Sequence, residues 1–293
     1  MIYLFSFLVC LFLSFSFWKI GDKYKIFDRA TSDPLKIHKK SVSCLGGLAM
    51  ILTMIIISWF KGIDYNAIVI IIGAVLFFCL GFADDLKWRD KAKIRPFYKF
   101  LFLVLFSVLT GLIILTAGIK FQFFPILIIE AVLTFSYIFV MVNAINYQDG
   151  VDGLASGLAI ISLLGFSILG LNTFYLIAVI LGFLVFNFPP AKIFMGDSGA
   201  YFLGFILAVY AISFSQPYNF PSIIAPAFVL GLPLFDGVFT NIRRLFNKKS
   251  IFLGDRKHLY DRIMHKGFST RKTIFVCYLL HSILVLMGLL IYG

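Results

Sequence analysis

Stretches of about 20 apolar residues, each enough for one helical membrane crossing, recur along the whole of this 293-residue chain. In lipid the backbone must satisfy its own hydrogen bonds, so only helices or a closed barrel can cross. Barrel strands alternate apolar and polar side chains, whereas these runs are apolar throughout. Helices remain. Ten candidate spans cover residues 2–20, 44–60, 65–83, 98–117, 123–142, 154–171, 173–188, 199–215, 221–240 and 273–291. With 14% charged residues the chain is far from a soluble domain, where about a quarter is usual. The expected fold is all-α, a single polytopic helical bundle over residues 1–293. Its longest polar segment is 241–272.

Ten spans leave nine loops. The odd-numbered loops and their flanks carry 24 of the 26 lysines and arginines; Lys61 and Lys120 are the exceptions. Basic loops stay cytoplasmic, so both termini are expected outside. The first run has no basic leader and no small-residue cleavage site, and reads as an anchor. The net charge of +12 therefore gathers on one surface, which favours anionic headgroups and phosphate-bearing substrates. Cys10, Cys44, Cys79 and Cys277 show no metal-ligand spacing and imply no disulfide framework.

All acidic residues except Asp64 and Glu130 lie in or beside the expected cytoplasmic loops. In GFADDLKWRD, Asp84 and Asp85 close the third span. A helix aims them about 100° apart, and a bound cation or proton would relieve their repulsion. A charged helix end beside Lys87, Arg89 and Lys91 is the plainer reading. In NAINYQDGVDGLASG, residues 143–157, Asp149 and Asp152 share a face if the segment is helical, and the stretch has no Lys or Arg. Gly150 and Gly153 permit close approach of a ligand, and Asn143 and Asn146 add amides. An N-cap role for Asp152 accounts for only one carboxylate. In NFPPAKIFMGDSGAYFLG, Asn187 and a Pro189-Pro190 stop precede Asp197, itself a candidate N-cap of the eighth span. The last loop and its approach carry Asp236, Arg243, Arg244 and His258, with Asp255, Arg256, Lys257 and Asp261 flanking the histidine.

Carboxylates, an imidazole and many basic side chains thus gather on one face of a bundle. Hard oxygen ligands suit Mg²⁺ or Mn²⁺, and basic groups suit phosphate. The chain has no Walker A pattern and no dinucleotide-binding glycine fingerprint.

From Asp33 to His258 these motifs resemble, in order, the polyprenyl-phosphate N-acetylhexosamine-1-phosphate transferases. DPLKIHKKSVSCLGG, with Asp33, Pro34, His38 and Gly46-Gly47, resembles their first motif. GFADDLK, NAINYQDGVDGLASG, NFPPAKIFMGDSGA, and LPLFDGVFTNIRR with GDRKHLYDRI resemble the others. The family moves a sugar-1-phosphate from a UDP-sugar onto a polyprenyl phosphate and releases UMP. The resemblance implies an active site built from loops 21–43, 84–97, 143–153, 189–198 and 241–272, on the cytoplasmic face of the plasma membrane. It implies that Asp197, with Asp85, holds Mg²⁺, and that Asp84 and Asp85 bind or deprotonate the lipid phosphate. Asn146, Asp149 and Asp152 would lie at the nucleotide pocket, with Asn143 and Asn187 nearby. His38, Asp236, Arg243, Arg244 and His258 would contact substrate. The implied partners are a UDP-sugar, a polyprenyl phosphate, membrane lipids and, as an open alternative, a second copy of the chain, with no nucleic acid.

The usual His-x-His-His is here His258-Leu259-Tyr260-Asp261, and Ser43 stands where a proline is common. The muramoyl-pentapeptide branch ends this motif with consecutive histidines, so a UDP-GlcNAc-type enzyme that starts a surface glycan is favoured. Phosphoryl exchange of this kind needs no strong base, because a phosphate monoester is already anionic near neutral pH. The rival class is a secondary transporter, for which Glu130 and His281 are candidate ion-pathway residues.

Overall fold

A computed structural model describes residues 1–24, 27–28, 42–87, 96–122, 126–248 and 256–293. His38 and parts of the loops 21–43, 84–97 and 241–272 lie outside these residues. The longer helices are α1 (Ile2–Tyr24), α3 (Tyr65–Lys87), α4 (Pro96–Leu115), α5 (Leu127–Gln148), α8 (Gly196–Phe214) and α12 (Thr270–Tyr292). Between them stand α2 (Gly46–Lys61), α6 (Leu154–Ile168), α7 (Phe174–Asn187), α9 (Pro221–Val229), α10 (Gly231–Phe246) and the short α11 (Leu259–His265). Phe27–Asp28 (β1) and Val42–Ser43 (β2) pair antiparallel.

Each of the ten apolar runs is helical over most of its described residues, but ten full-length crossings is a count the lengths correct. Among the described residues six helices are long and apolar enough to span, or seven if α9 and α10 count as one span. α7 has 14 residues, a rise of about 21 Å against a hydrocarbon core of about 30 Å. α2 and α6 are only slightly longer, with 16 and 15 residues.

α8 forms the centre: 83% of its apolar window is buried, against 22–39% in the other five long helices. Small residues let its neighbours close on it, the usual means of packing helices in lipid. A Cβ on Gly204 would lie 2.6 Å from Cα of Val142 on α5, and one on Gly47 2.5 Å from the Gly199 nitrogen. One on Gly81 of α3 would lie 2.4 Å from the Asp197 carbonyl oxygen. That last approach sets the end of α3 directly on the start of α8. Leu8, Phe12, Leu105, Leu112, Leu286 and Leu290 are exposed on the outer helices, as lipid-facing side chains should be.

α9 and α10 meet at 87°. The helical partner of the Val229 carbonyl would be the N–H of residue 233, which is a proline and has none. Ser162 Oγ donates to that carbonyl instead, at 2.9 Å. The Leu232 N–H, also left without an intrahelical partner, donates to His281 Nδ1 at 3.2 Å. The His281 proton therefore sits on Nε2, which faces Ser162 Oγ at 2.9 Å and the Leu158 carbonyl at 3.2 Å. His281 is a neutral pin for the bend. Glu130 is equally occupied: Lys120 Nζ donates to its carboxylate at 2.6 Å.

Candidate active site

Helix ends bring the expected acids together. The end of α3 places Asp84 and Asp85, the first turn of α8 places Asp197, the first turn of α4 places Lys99, and the last turns of α5 place Asn146. Lys99 forms ion pairs with both Asp84 and Asp197, the latter at 2.9 Å. Asn146 Nδ2 donates to the other Asp197 oxygen at 2.7 Å, and the Tyr201 hydroxyl donates to Asp84 at 3.4 Å.

Asp85 behaves differently from its neighbour. Its two oxygens accept the backbone N–H groups of Asp197 and Ser198 at 3.0 and 3.1 Å. A carboxylate from another helix thus satisfies two of the orphan donors at the start of α8 and complements its dipole. Gly196 has φ +69°, and a Cβ there would lie 2.5 Å from an Asp85 oxygen, so glycine is required. Asp197 is in the first turn and not at the N-cap, which is Met195.

The aspartate stretch is part helix and part turn. α5 continues through Gln148, so Asn143 and Asn146 lie on it and not in a loop. Asp149 is the C-cap of α5, and Gly153, at φ +74°, is the N-cap of α6 in place of Asp152. Asp152 Oδ2 accepts the Ala191 N–H at 2.9 Å. Asn187 is buried, accepts from Gly153 N–H and Ser156 Oγ, and donates to the Ile193 carbonyl at 2.9 Å. Its polar atoms lace the turn to residue 193. The Tyr278 hydroxyl donates to the Gly153 carbonyl at 2.6 Å, and Arg271 forks onto the Pro189 carbonyl at 2.9 and 3.1 Å.

A second cluster surrounds His258. Its Nδ1 donates to Asp236 Oδ2 at 2.7 Å, and the other Asp236 oxygen accepts the Leu259 N–H at 3.0 Å. Arg244 is buried with its guanidinium 5.6 Å from the Tyr147 ring, while Arg243 donates to the Lys257 carbonyl at 3.0 Å. Asn143 donates to the Phe139 carbonyl at 2.8 Å and lines a mainly apolar cleft between α5 and α10, with Val140, Ala144, Val238 and Ile242.

One turn of α5 joins the two clusters. Asn146 reaches Asp197, the Tyr147 ring packs tilted against His258 with centroids 5.2 Å apart, and Gln148 Nε2 donates to Asp236 at 3.0 Å. Successive helix positions point about 100° apart, so three neighbours in sequence meet three different partners. Lys99, Tyr147, Gln148 and Tyr201 were not singled out by the sequence pattern. For Lys99 a signal exists: it is a lone charge just inside an apolar span.

The donor set suits a hard divalent cation in kind. Among the described residues no three His, Cys, Asp or Glu side chains are grouped to hold a metal by themselves. One or two carboxylates completed by water and substrate phosphate is how Mg²⁺ is usually held, and Asp197 with Asp84 offers that pair.

Residues 67–215 match the model of glycosyl transferase family 4. A probable undecaprenyl-phosphate N-acetylglucosaminyl 1-phosphate transferase of Bacillus subtilis is 34% identical over 84% of this chain and 72% of its own length. An undecaprenyl-phosphate alpha-N-acetylglucosaminyl 1-phosphate transferase of Thermotoga maritima is 29% identical over 96% of this chain and 87% of its own. A phospho-N-acetylmuramoyl-pentapeptide-transferase of Dictyoglomus thermophilum is also 29% identical, over 87% and 85%.

Proposed function

The chain belongs to glycosyl transferase family 4, and from that premise we propose that it transfers an N-acetylhexosamine-1-phosphate, GlcNAc-1-phosphate first among them, from a UDP-sugar to a polyprenyl phosphate. The observation that carries the reading is the single ammonium of Lys99 set between Asp84 and Asp197 where α3, α4 and α8 meet. An ammonium held between two carboxylates supplies the fixed positive charge that phosphoryl exchange between anions needs.

In the reaction an acceptor phosphate oxygen bonds to the β-phosphorus of the donor. The bond from that phosphorus to the bridging oxygen breaks, and UMP leaves with the electron pair. The difficulty is the approach of two anions, so positioning and charge neutralisation dominate. Asp197 and Asp84 would hold Mg²⁺, which when bound supplies charge neutralisation and alignment of the phosphates. Lys99 contributes a fixed positive charge beside them. Asn146 orients Asp197. Asp85 fixes the start of α8, on which Asp197 rides. Asp149 and Asp152 belong with the nucleotide, and His258, Arg243 and Arg244 with the sugar pyrophosphate, whether by contact or by shaping the pocket. The cleft between α5 and α10 gives a lipid-borne acceptor an apolar approach past Asn143. The basic loops support a site on the cytoplasmic face of the plasma membrane, where it would start a cell-surface glycan. A muramoyl-pentapeptide donor fits less well, because Tyr260 and Asp261 stand in place of consecutive histidines.

The test uses purified full chain in detergent with polyprenyl phosphate, Mg²⁺ and UDP-GlcNAc labelled in the β-phosphate. Label should pass to the organic phase with wild type, and not with Asp197→Ala or with EDTA. No UMP from any UDP-HexNAc would overturn the reading.

A further inference from the structure

The two positions where the last-loop motif departs from its usual histidines are not idle. Tyr260 stacks on the His258 ring, centroids 5.6 Å apart and planes within 10°. Tyr147 packs against the same ring at 5.2 Å, tilted by 36°. Asp261 accepts from Arg256 Nε at 2.7 Å and from the His258 backbone N–H at 3.3 Å. With Asp236 on Nδ1, the buried imidazole is held in one orientation, its Nε2 turned away from Asp236. Tyr260 also looks the other way. Its phenol is seated over Gly150: a Cβ at that glycine would fall 2.2 Å from the hydroxyl oxygen and 3.0 Å from Cζ. Only glycine admits this contact, which explains why the turn between the two aspartates has none but glycine at that place. Burial holds the phenol above its ordinary range, so the hydroxyl keeps its proton and adds no further charge beside Asp149, Asp236 and Asp261.

We propose that Tyr260 is a positioning residue that sets His258 in register with the Asp149–Asp152 turn, and so tunes the donor side of the reaction through the imidazole. The proposal rests on the phosphotransferase reading for its kinetics, and on the Gly150 contact alone for its geometry. Where the family's usual motif has further histidines, this chain orders one imidazole by stacking and by an ion pair.

Two measurements test it. In label transfer, Tyr260→Leu should raise the donor KM about tenfold and leave the acceptor KM unchanged, while Tyr260→Phe, which keeps the ring, should shift it about twofold. In a His258→Ala background the Tyr260→Leu effect should vanish. Additive losses, or equal shifts in both KM values, would overturn the proposal. The second measurement is thermal unfolding of the full chain in detergent for Gly150→Ala, Tyr260→Phe and the double variant. Gly150→Ala should lower Tm, and Tyr260→Phe should restore most of it by removing the clashing oxygen. A double variant no more stable than Gly150→Ala would overturn the contact itself. If wild type transfers no label, the functional reading fails, and the unfolding series still decides the geometry.

Discussion

Among the described residues, lysine meets carboxylate in two half-buried places, and they differ in one respect. At one end of α5, Lys120 meets Glu130 alone, at 2.6 Å, with Glu130 only 6% exposed. At the other end, Lys99 meets Asp84 and Asp197 together, with Asp85 close behind on the α8 backbone. The first is balanced charge for charge and serves packing. The second sets three carboxyl groups about one ammonium at a helix junction, where a substrate-borne or free cation could join them. The same residue types make a closed pair in one place and a receptive site in the other.

The comparison can be broken most severely at the receptive end. Asp197→Ala should cut label transfer by about a thousandfold or more, and Lys99→Ala by about a hundredfold, with Lys99→Arg recovering part of the loss. A Lys99→Ala enzyme with wild-type turnover would show that the ammonium serves packing only. Magnesium titration sharpens the contrast. At 100 times its Kd, Mg²⁺ should stabilise wild type by about 2.7 kcal/mol in thermal unfolding, and Asp197→Ala should show almost none of this. At the balanced end the effect should fall on stability. Glu130→Gln leaves the Lys120 charge half-buried without its partner, which should cost about 3 kcal/mol. Turnover per folded molecule should not change. A fall in turnover matching that of Lys99→Ala would erase the distinction between the two ends. The smallest effect is expected at the bend between α9 and α10. His281→Ala removes the acceptor of the Leu232 N–H and should cost about 1–3 kcal/mol, read as a lower Tm, with turnover reduced only as far as α10 shifts.

The helical runs were legible because lipid leaves the backbone no other choice. Their lengths were not, because a span does not have to be straight or complete. Residues 221–240 read as one crossing, yet Pro226 and Pro233 lie inside it and the chain turns there. Asn143–Gln148 read as a loop from its polarity, and is helix because its side chains find partners on α8, α10 and the last loop. The acids of the candidate site stood out as motifs. The separate duties of Asp84 and Asp85 did not, since only the rotation of α3 against α8 sends one to Lys99 and the other to the backbone. Lys99, the one charge within residues 98–117, was absorbed into the basic loops that orientation explained.

The last turn of α5 has a mechanical consequence. Asn146, Tyr147 and Gln148 are rungs of one rigid rod, and each is fastened to a different half or edge of the site. The carboxylate centre and the imidazole therefore share a single degree of freedom. A twist of α5 that moved one would move the other by a fixed amount, so neither can drift to suit a new donor while its counterpart stays in place. A change of sugar has to come from side chains exchanged at the rim, with the rod left where it is.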